Sequence, residues 1–265
     1  MSRVFIGSLI LLVLACVVTS GQAPPAVRSE LAPTGVLRVG INYSNGVLAT
    51  KDPASGEPRG VAVDLAGEVA RRLGVSTRFV TYAGAGLMAE AVTRGEWDIA
   101  FLAADPARAT DIAFTPPYLE IDATYLVPQG SSLRTIDDVD RAGIRIAVVA
   151  QTAYDLFLSR SLMRAELVRV NANAAADAAL IAGSVHALAG LKDRLLTVAE
   201  QVSGSRVLDG RFTAAQQSIG LPTGRAAAQQ YMNAFVEDAK RSGLVARAIA
   251  KTGARGVSVA PAGTP

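Results

Sequence analysis

Short apolar strands alternating with amphipathic helices, in two successive series, constrain this chain more than any other feature. Leu37–Ile41 reads as a strand. Asp64 reads as the cap of a helix that carries Leu65, Val69, Ala70 and Leu73 on one face and stops at Gly74. Thr77–Val80 is a strand, Leu87–Thr93 a helix stopped by Gly95, and Asp98–Leu102 a further strand. Residues three or four apart share a helix face and residues two apart share a strand face, which separates the two patterns. A β-α-β-α-β series calls for a parallel sheet covered by helices. Ala123–Val127 leads out as a strand, and after Gln129-Gly130-Ser131-Ser132 the rhythm restarts. It runs through a short helix at Ile136–Asp140, a strand at Ile144–Val149, a helix from Thr152 to Leu162, a strand at Leu167–Val170, a helix at Ala174–Ile181 and a strand at Val185–Ala189. Gln217–Leu221 is a late strand, followed by helices at Ala226–Arg241 and Leu244–Lys251. The expected fold class is α/β with two lobes in series, and such folds take ligands in the cleft between their loop sets.

The 265 residues suffice for one large domain or two ordinary ones, and with half of them apolar the chain can bury a core. The formal charge of +3 is spread along the chain, with no Lys/Arg block and no interleaving of basic and aromatic residues. That pattern argues against nucleic acid as a partner. Residues 1–22 read as a signal peptide: Arg3 supplies the positive start and Val4–Ala15 the apolar core. The core ends in Val13-Leu14-Ala15-Cys16, which gives two readings, cleavage before a lipidated Cys16 or ordinary cleavage near Gln22-Ala23. Both place the mature protein in the periplasm or otherwise outside the cytoplasm, and a lipidated Cys16 would anchor it to a membrane. As Cys16 is the only cysteine, no disulfide forms within the chain. Residues 23–34 read as a linker.

Arg108 is the leading site candidate. The strand ending at Leu102 runs into Asp105-Pro106, a helix start in which Asp accepts orphan N–H groups and Pro suits the first helical position. Arg108 falls in the first turn, where a guanidinium can clamp a carboxylate with two parallel hydrogen bonds. The plainer reading pairs it with Asp105 or Asp111 on its own helix. Asn42 and Tyr43 follow the first strand and either line the cleft or form an ordinary turn. His186 is the only histidine and reads as a satisfied edge residue, and Trp97 as packing. There is no phosphate loop, nucleophile elbow, zinc pattern or other metal-ligand cluster, and no cofactor is implied.

The order Gly35-Val36-Leu37-Arg38-Val39-Gly40, Gly60-Val61-Ala62-Val63-Asp64-Leu65, Gly95-Glu96-Trp97-Asp98, Arg108 to Phe114, Pro117-Tyr118 and the closing SGLVARAIAKTG resembles the family 3 extracellular solute-binding proteins, the receptors of polar amino-acid ABC importers. The resemblance runs from Gly35 to Gly253. It implies the two-lobed type II periplasmic-binding-protein fold, with lobes joined by two crossover strands and closing over a small ligand. On that scheme residues 35–128 and 214–256 form lobe 1, residues 129–213 form lobe 2, and residues 257–265 are a tail. The resemblance implies a monomeric, non-enzymatic receptor that holds a small carboxylate-bearing solute and docks on an ABC permease.

In the family, the arginine at the place of Arg108 binds the ligand carboxylate, and a Gly-Thr-Thr at a helix start adds hydroxyls and N–H groups. Here that start reads Gln151-Thr152-Ala153, so Thr152 and Ala153 are carried over with one hydroxyl lost. Ala103 and Ala104 stand where hydroxyls are common, and the aromatic walls fall on Val47 or Leu48 and on Ala85. The family's ammonium-binding aspartate falls on Leu191, which cannot hold an α-ammonium unless Glu120, Asp122 or Asp193 takes its place. The ligand is therefore an organic acid or an amino acid held differently. Two rivals stand beside the receptor: a cyclohexadienyl-dehydratase-like lyase acting on a cyclic carboxylate, for which Glu120 is the candidate acid, and a ligand-sensing module without transport.

Overall fold

The computed structural model describes residues 23–263; the signal-peptide reading of residues 1–22, with Cys16, lies outside the described residues. The first half of the chain forms α1 (Pro25–Leu31), β1 (Val36–Asn42), β2 (Thr50–Lys51), β3 (Pro58–Arg59), α2 (Val61–Leu73), β4 (Ser76–Tyr82), α3 (Ala85–Glu90), β5 (Ile99–Ala103), β6 (Ile112–Phe114) and β7 (Leu119–Val127). The second half forms β8 (Arg145–Val149), α4 (Ala153–Ser161), β9 (Glu166–Val170), α5 (Asn173–Ile181), β10 (Ala187–Leu191), α6 (Lys192–Gln201), β11 (Arg206–Val207), β12 (Thr213–Pro222), α7 (Ala226–Arg241), α8 (Leu244–Thr252) and β13 (Val257–Val259).

One curled sheet carries both lobes in the order β4-β1-β5-β12-β7-β10-β8-β9. The outer strands pair in parallel, β1 with β4 and β5, and β8 with β9 and β10. The long central strands β7 and β12 pair antiparallel, Thr213 opposite Ala123 through Gln217 opposite Leu119. Alternate residues of a strand face the same side, and β7 uses this to pass from one core to another. Its Leu119 and Ile121 belong to the core of the first lobe with Leu37, Val39, Ile99 and Phe101, while Ala123, Tyr125 and Val127 belong to that of the second with Ile146 and Val148. The opposite faces are filled separately, by Met88, Trp97, Ala100 and Leu102 in one lobe and by Leu126, Ala147, Leu188 and Leu195 in the other.

Several sequence expectations change. The linker at 23–34 is in part helix α1, whose Val27 and Leu31 are buried in the first core. Glu30 there accepts the Ala228 N–H at 2.8 Å, satisfying an orphan donor at the start of α7. The tail at 257–265 contains β13, which pairs with Leu119–Ile121 of β7. Asp64 sits in the first turn of α2 rather than at its cap, which is Gly60, and it bonds Lys251 across to α8. Gly60 has φ +133°, and a Cβ there would lie 2.5 Å from the Leu48 carbonyl oxygen, so only glycine fits. Helix α6 was not anticipated from the sequence.

The pairing of Arg38 with Asp98 explains two of the quoted motifs together. The Asp98 carboxylate is fully buried and accepts three bonds from Arg38, from its backbone N, Nε and Nη2, at 2.9, 3.0 and 2.7 Å. The Asp98 N–H returns a bond to the Arg38 carbonyl at 2.9 Å. Removing one partner of a buried ion pair strands the other, at about 3–5 kcal/mol. Asp98→Ala is therefore expected to lose that much stability, read as a lower urea midpoint with an unchanged slope.

Candidate functional site

Between the lobes lies a pocket of about 480 Å³, counting the part open to solvent. Strand ends and helix starts from both sides build it. The first lobe contributes Asn42 and Ser44 after β1, Leu102 and Ala103 at the end of β5, and Arg108; the second contributes Thr152, Ala153 and Tyr154 at the start of α4, and Leu191 and Arg194 where β10 passes into α6. A wider opening continues past Tyr43, Ala83–Leu87 and Asn171–Ala174.

Arg108 sits in a single 3-10 turn, Pro106–Arg108, whose start is capped as expected: the Asp105 carboxylate accepts from Ala107 N at 2.9 Å. Arg108 is 8% exposed, and its guanidinium donates to two backbone carbonyls, Ala103 in its own lobe at 2.8 Å and Gln151 in the other at 2.7 Å. It pairs with neither Asp105 nor Asp111. Asp105 spends its carboxylate on Ala107 N and on Arg160, 2.9 Å away. Burial pulls the Arg108 pKa below its ordinary value, opposed only by the charge of Asp105. A buried cation hydrogen-bonded only to neutral carbonyls is costly, and three of its five N–H donors remain for an acceptor.

Facing it is the start of α4. Thr152 caps this helix: its Oγ1 accepts from Asp155 N at 3.3 Å and donates to the Val149 carbonyl at 2.8 Å, so the hydroxyl proton is already engaged. The N–H groups of Ala153 and Tyr154 lie in the first turn, where no intrahelical acceptor exists, and they donate to no carbonyl or side chain around them. Gln151, just before the cap, is held at φ +62°, a left-handed conformation unusual for a side-chain-bearing residue. Its N–H donates to Asp155 Oδ2 at 2.9 Å while its carbonyl meets Arg108.

The other candidates divide. Asn42, Ala103, Arg108, Thr152, Ala153 and Leu191 line one pocket, and Tyr43 lines its opening, under the Lys51 ammonium 5.4 Å from the ring centroid. Ala104 does not: its N–H joins the Gln216 carbonyl, and it lines a separate depression on the β12 side. Glu120 is paired within the crossover strands, opposite Gln216 and 3.6 Å from Arg211, which also takes Asp122 at 2.9 Å. Asp193 is outside the pocket and accepts from Arg255 N at 2.8 Å. Glu120, Asp122 and Asp193 therefore do not replace the ammonium aspartate, and the lyase alternative loses its named acid. Val47 and Leu48 are buried in the first core and form no wall of the pocket, whereas Ala85 does line it. His186 accepts the Arg145 N–H on Nδ1 at 3.0 Å, and Trp97 Nε1 donates to the Met88 carbonyl at 2.9 Å, both structural.

Sequence reasoning missed Arg194. It stands one turn into α6, and the signal was its place three residues past the strand end at Leu191, visible only once α6 is known to begin there. Among the described residues no group of three or more His, Cys, Asp or Glu could hold a metal ion, and no helix is long and apolar enough to cross a membrane.

The sequence profile of the bacterial extracellular solute-binding proteins, family 3, matches residues 37–253. The solved structures similar to this one include a mutant of ArgBP from T. maritima, 22% identical, with a TM-score of 0.71 over 85% of this chain and 98% of that one. Another is a solute receptor for L-cysteine of Neisseria gonorrhoeae, 23% identical, with a TM-score of 0.73 over 86% and 92%. These are likenesses of fold. A membrane-bound lytic murein transglycosylase F of Maricaulis maris (strain MCS10) is 29% identical over 160 residues, 56% of this chain and 33% of that protein, so the chain spans about a third of its length.

Polar contacts join the lobes from Arg108 to the Gln151 carbonyl, from Asn173 Nδ2 to the Ser44 carbonyl at 3.2 Å and from Arg160 to Asp105, and Arg255 adds bonds to Asp193 and Glu200 of α6. Gly86 of α3 lies against Gln151, where an added Cβ would stand 2.6 Å from the Gln151 Cβ. Gly86→Ala is expected to push the lobes apart and break the Arg108–Gln151 bond while leaving each core intact. Small-angle X-ray scattering should show a larger radius of gyration than wild type; an unchanged radius would show that Gln151 yields instead.

Proposed function

The chain belongs to the bacterial extracellular solute-binding proteins, family 3, and from that premise we propose that it is the substrate-binding receptor of an ABC importer, holding a small carboxylate-bearing solute between its lobes. The observation that carries this reading is the buried Arg108 guanidinium, which has no carboxylate partner among the described residues and faces a helix start with two undirected N–H groups. A carboxylate placed there supplies the missing negative charge to Arg108 and acceptors to the amides of Ala153 and Tyr154. Because Arg108 belongs to one lobe and α4 to the other, one carboxylate ties them together, and ligand binding favours closure by its differential contacts with the closed form. Leu191 and the absence of any acidic side chain from the pocket lining favour an organic acid over an α-amino acid. The protein works outside the cytoplasm as a monomer, exported by its N-terminal signal segment with cleavage either before a lipidated Cys16 or near Gln22-Ala23, and docks on its permease in the loaded state.

A second reading, a ligand-sensing module without transport, rests on the transglycosylase relative, in which a comparable stretch is part of a longer protein. Uptake of the solute in cells lacking this protein separates the two: a sensor leaves uptake intact and a receptor abolishes it.

A thermal-shift panel of amino acids, keto acids, hydroxy acids and small dicarboxylates finds the ligand class, since a solute that binds only the native state adds ~2.7 kcal/mol at a hundredfold excess over its Kd. Arg108→Ala is expected to weaken carboxylate binding by about 100-fold, roughly 3 kcal/mol, with little change in ligand-free stability because a poorly compensated buried charge is removed. Retained affinity in titration calorimetry would sink the assignment.

A further inference from the structure

We infer that the solute carries a second anionic group, read by Arg194, so that the ligand class is a compact dicarboxylate. This rests on the reading of the interlobe pocket as the ligand site and names what that pocket selects. Arg194 lines the pocket with a side chain 20% exposed. Its Nη2 is committed, at 2.6 Å to Asp177 Oδ1 and at 3.1 Å to the Asn173 carbonyl. Its Nη1 is buried and has no partner at all. A guanidinium uses its donors as a planar fork, so a fixed Nη2 leaves both N–H bonds of Nη1 pre-aimed and unanswered. A buried unanswered donor costs about 1–3 kcal/mol, more on a charged group, unless something binds it.

Two arginines therefore line the pocket, and no Asp or Glu does. The neutralising Asp177 lies behind Arg194 on α5, outside the lining, and acts as a positioning residue. Asn173, one turn earlier on α5, accepts from the same nitrogen through its carbonyl and also reaches across the lobes to the Ser44 carbonyl, so Arg194 is fixed at the edge where the lobes meet. Such a lining accepts an anion at each arginine. It rejects an α-ammonium, which would meet Leu191 on one side and a guanidinium on the other.

The test is titration calorimetry of the purified protein with succinate and glutarate against butyrate and succinamate, repeated in Arg194→Gln and Arg194→Lys. In wild type at least one dicarboxylate should bind ten- to hundredfold more tightly than its singly charged counterpart, the size of one charge-assisted contact. Arg194→Gln should erase that ratio by weakening the dicarboxylates more than the singly charged acids, and Arg194→Lys should restore part of it. Ligand-free melting temperatures report whether the variants fold, and the wild-type ratio stands without them. Equal binding of singly and doubly charged acids, or a ratio indifferent to Arg194, overturns the second subsite and leaves the Arg108 reading in place. No heat with any carboxylate overturns both.

Discussion

Everything in this molecule hangs on the antiparallel ladder between β7 and β12. These strands carry side chains of both lobes on one continuous backbone, so Leu119 and Ile121 are held in one core and Tyr125 and Val127 in the other with no loop between them. A hydrogen-bonded ribbon twists and bends without losing its register, whereas a loop would let the lobes drift. The arrangement places two separately packed bodies face to face across the cleft. The third strand at this junction, β13, pairs with Leu119–Ile121 along the edge of β7 opposite β12. The same ladder reaches the pocket directly, since Ala215 and Gln217 of β12 are among its lining residues.

Within that frame the pocket is a study in incomplete electrostatics. Elsewhere on the chain, arginines find carboxylates: Arg38 with Asp98, Arg72 with Glu68 and Asp238, Arg160 with Asp105. Arg108 has only carbonyl oxygens and Arg194 is half answered. Polar groups in protein interiors are generally satisfied, so two guanidiniums with spare donors around one cavity mark the cavity as unfinished. The same contrast separates this pocket from the depressions lined by Asp64 with Lys251 and by Asp105 with Arg160, where opposite charges already meet.

The fold was largely legible because its signals are local. Periodicity found β1, β4, β5, β8 and β9, and Gly74 and Gly95 end their helical segments in the left-handed conformation their positions suggested. What escaped was set by tertiary packing. Helix α1 looks like a Pro- and Ala-rich tether, and it is ordered by burying Val27 and Leu31 and by serving as the cap of a helix some two hundred positions away, at Ala228. The first half of β12 lacks an alternating apolar pattern because it runs between the lobes, with Gln216 exposed and Gln217 turned inward. In the pocket, residues next to strand ends were readable: Asn42, Ala103, Thr152 and Leu191 all lie there. Glu120 was misjudged because a charged residue on a crossover strand looks cleft-facing until its pairing with Gln216 and Arg211 is known. Arg194 depends on the phase of a helix whose start carries no capping side chain, so nothing in the sequence announced which turn would face the cavity.

The bond from Arg108 to the Gln151 carbonyl has a consequence for how such a receptor reports. It closes the lobes with a neutral oxygen of the protein itself, from a residue whose backbone is held in a left-handed conformation to offer it. The protein thus carries its own competitor for the arginine, and this bond holds the lobes together beside the Asn173–Ser44 and Arg160–Asp105 contacts. Whatever reads closure therefore works against a built-in background, and the solute must outbid a carbonyl rather than fill a void. Its charge is what sets it apart from that carbonyl at the arginine, and the contrast between occupied and empty receptors accordingly shrinks as ionic strength rises.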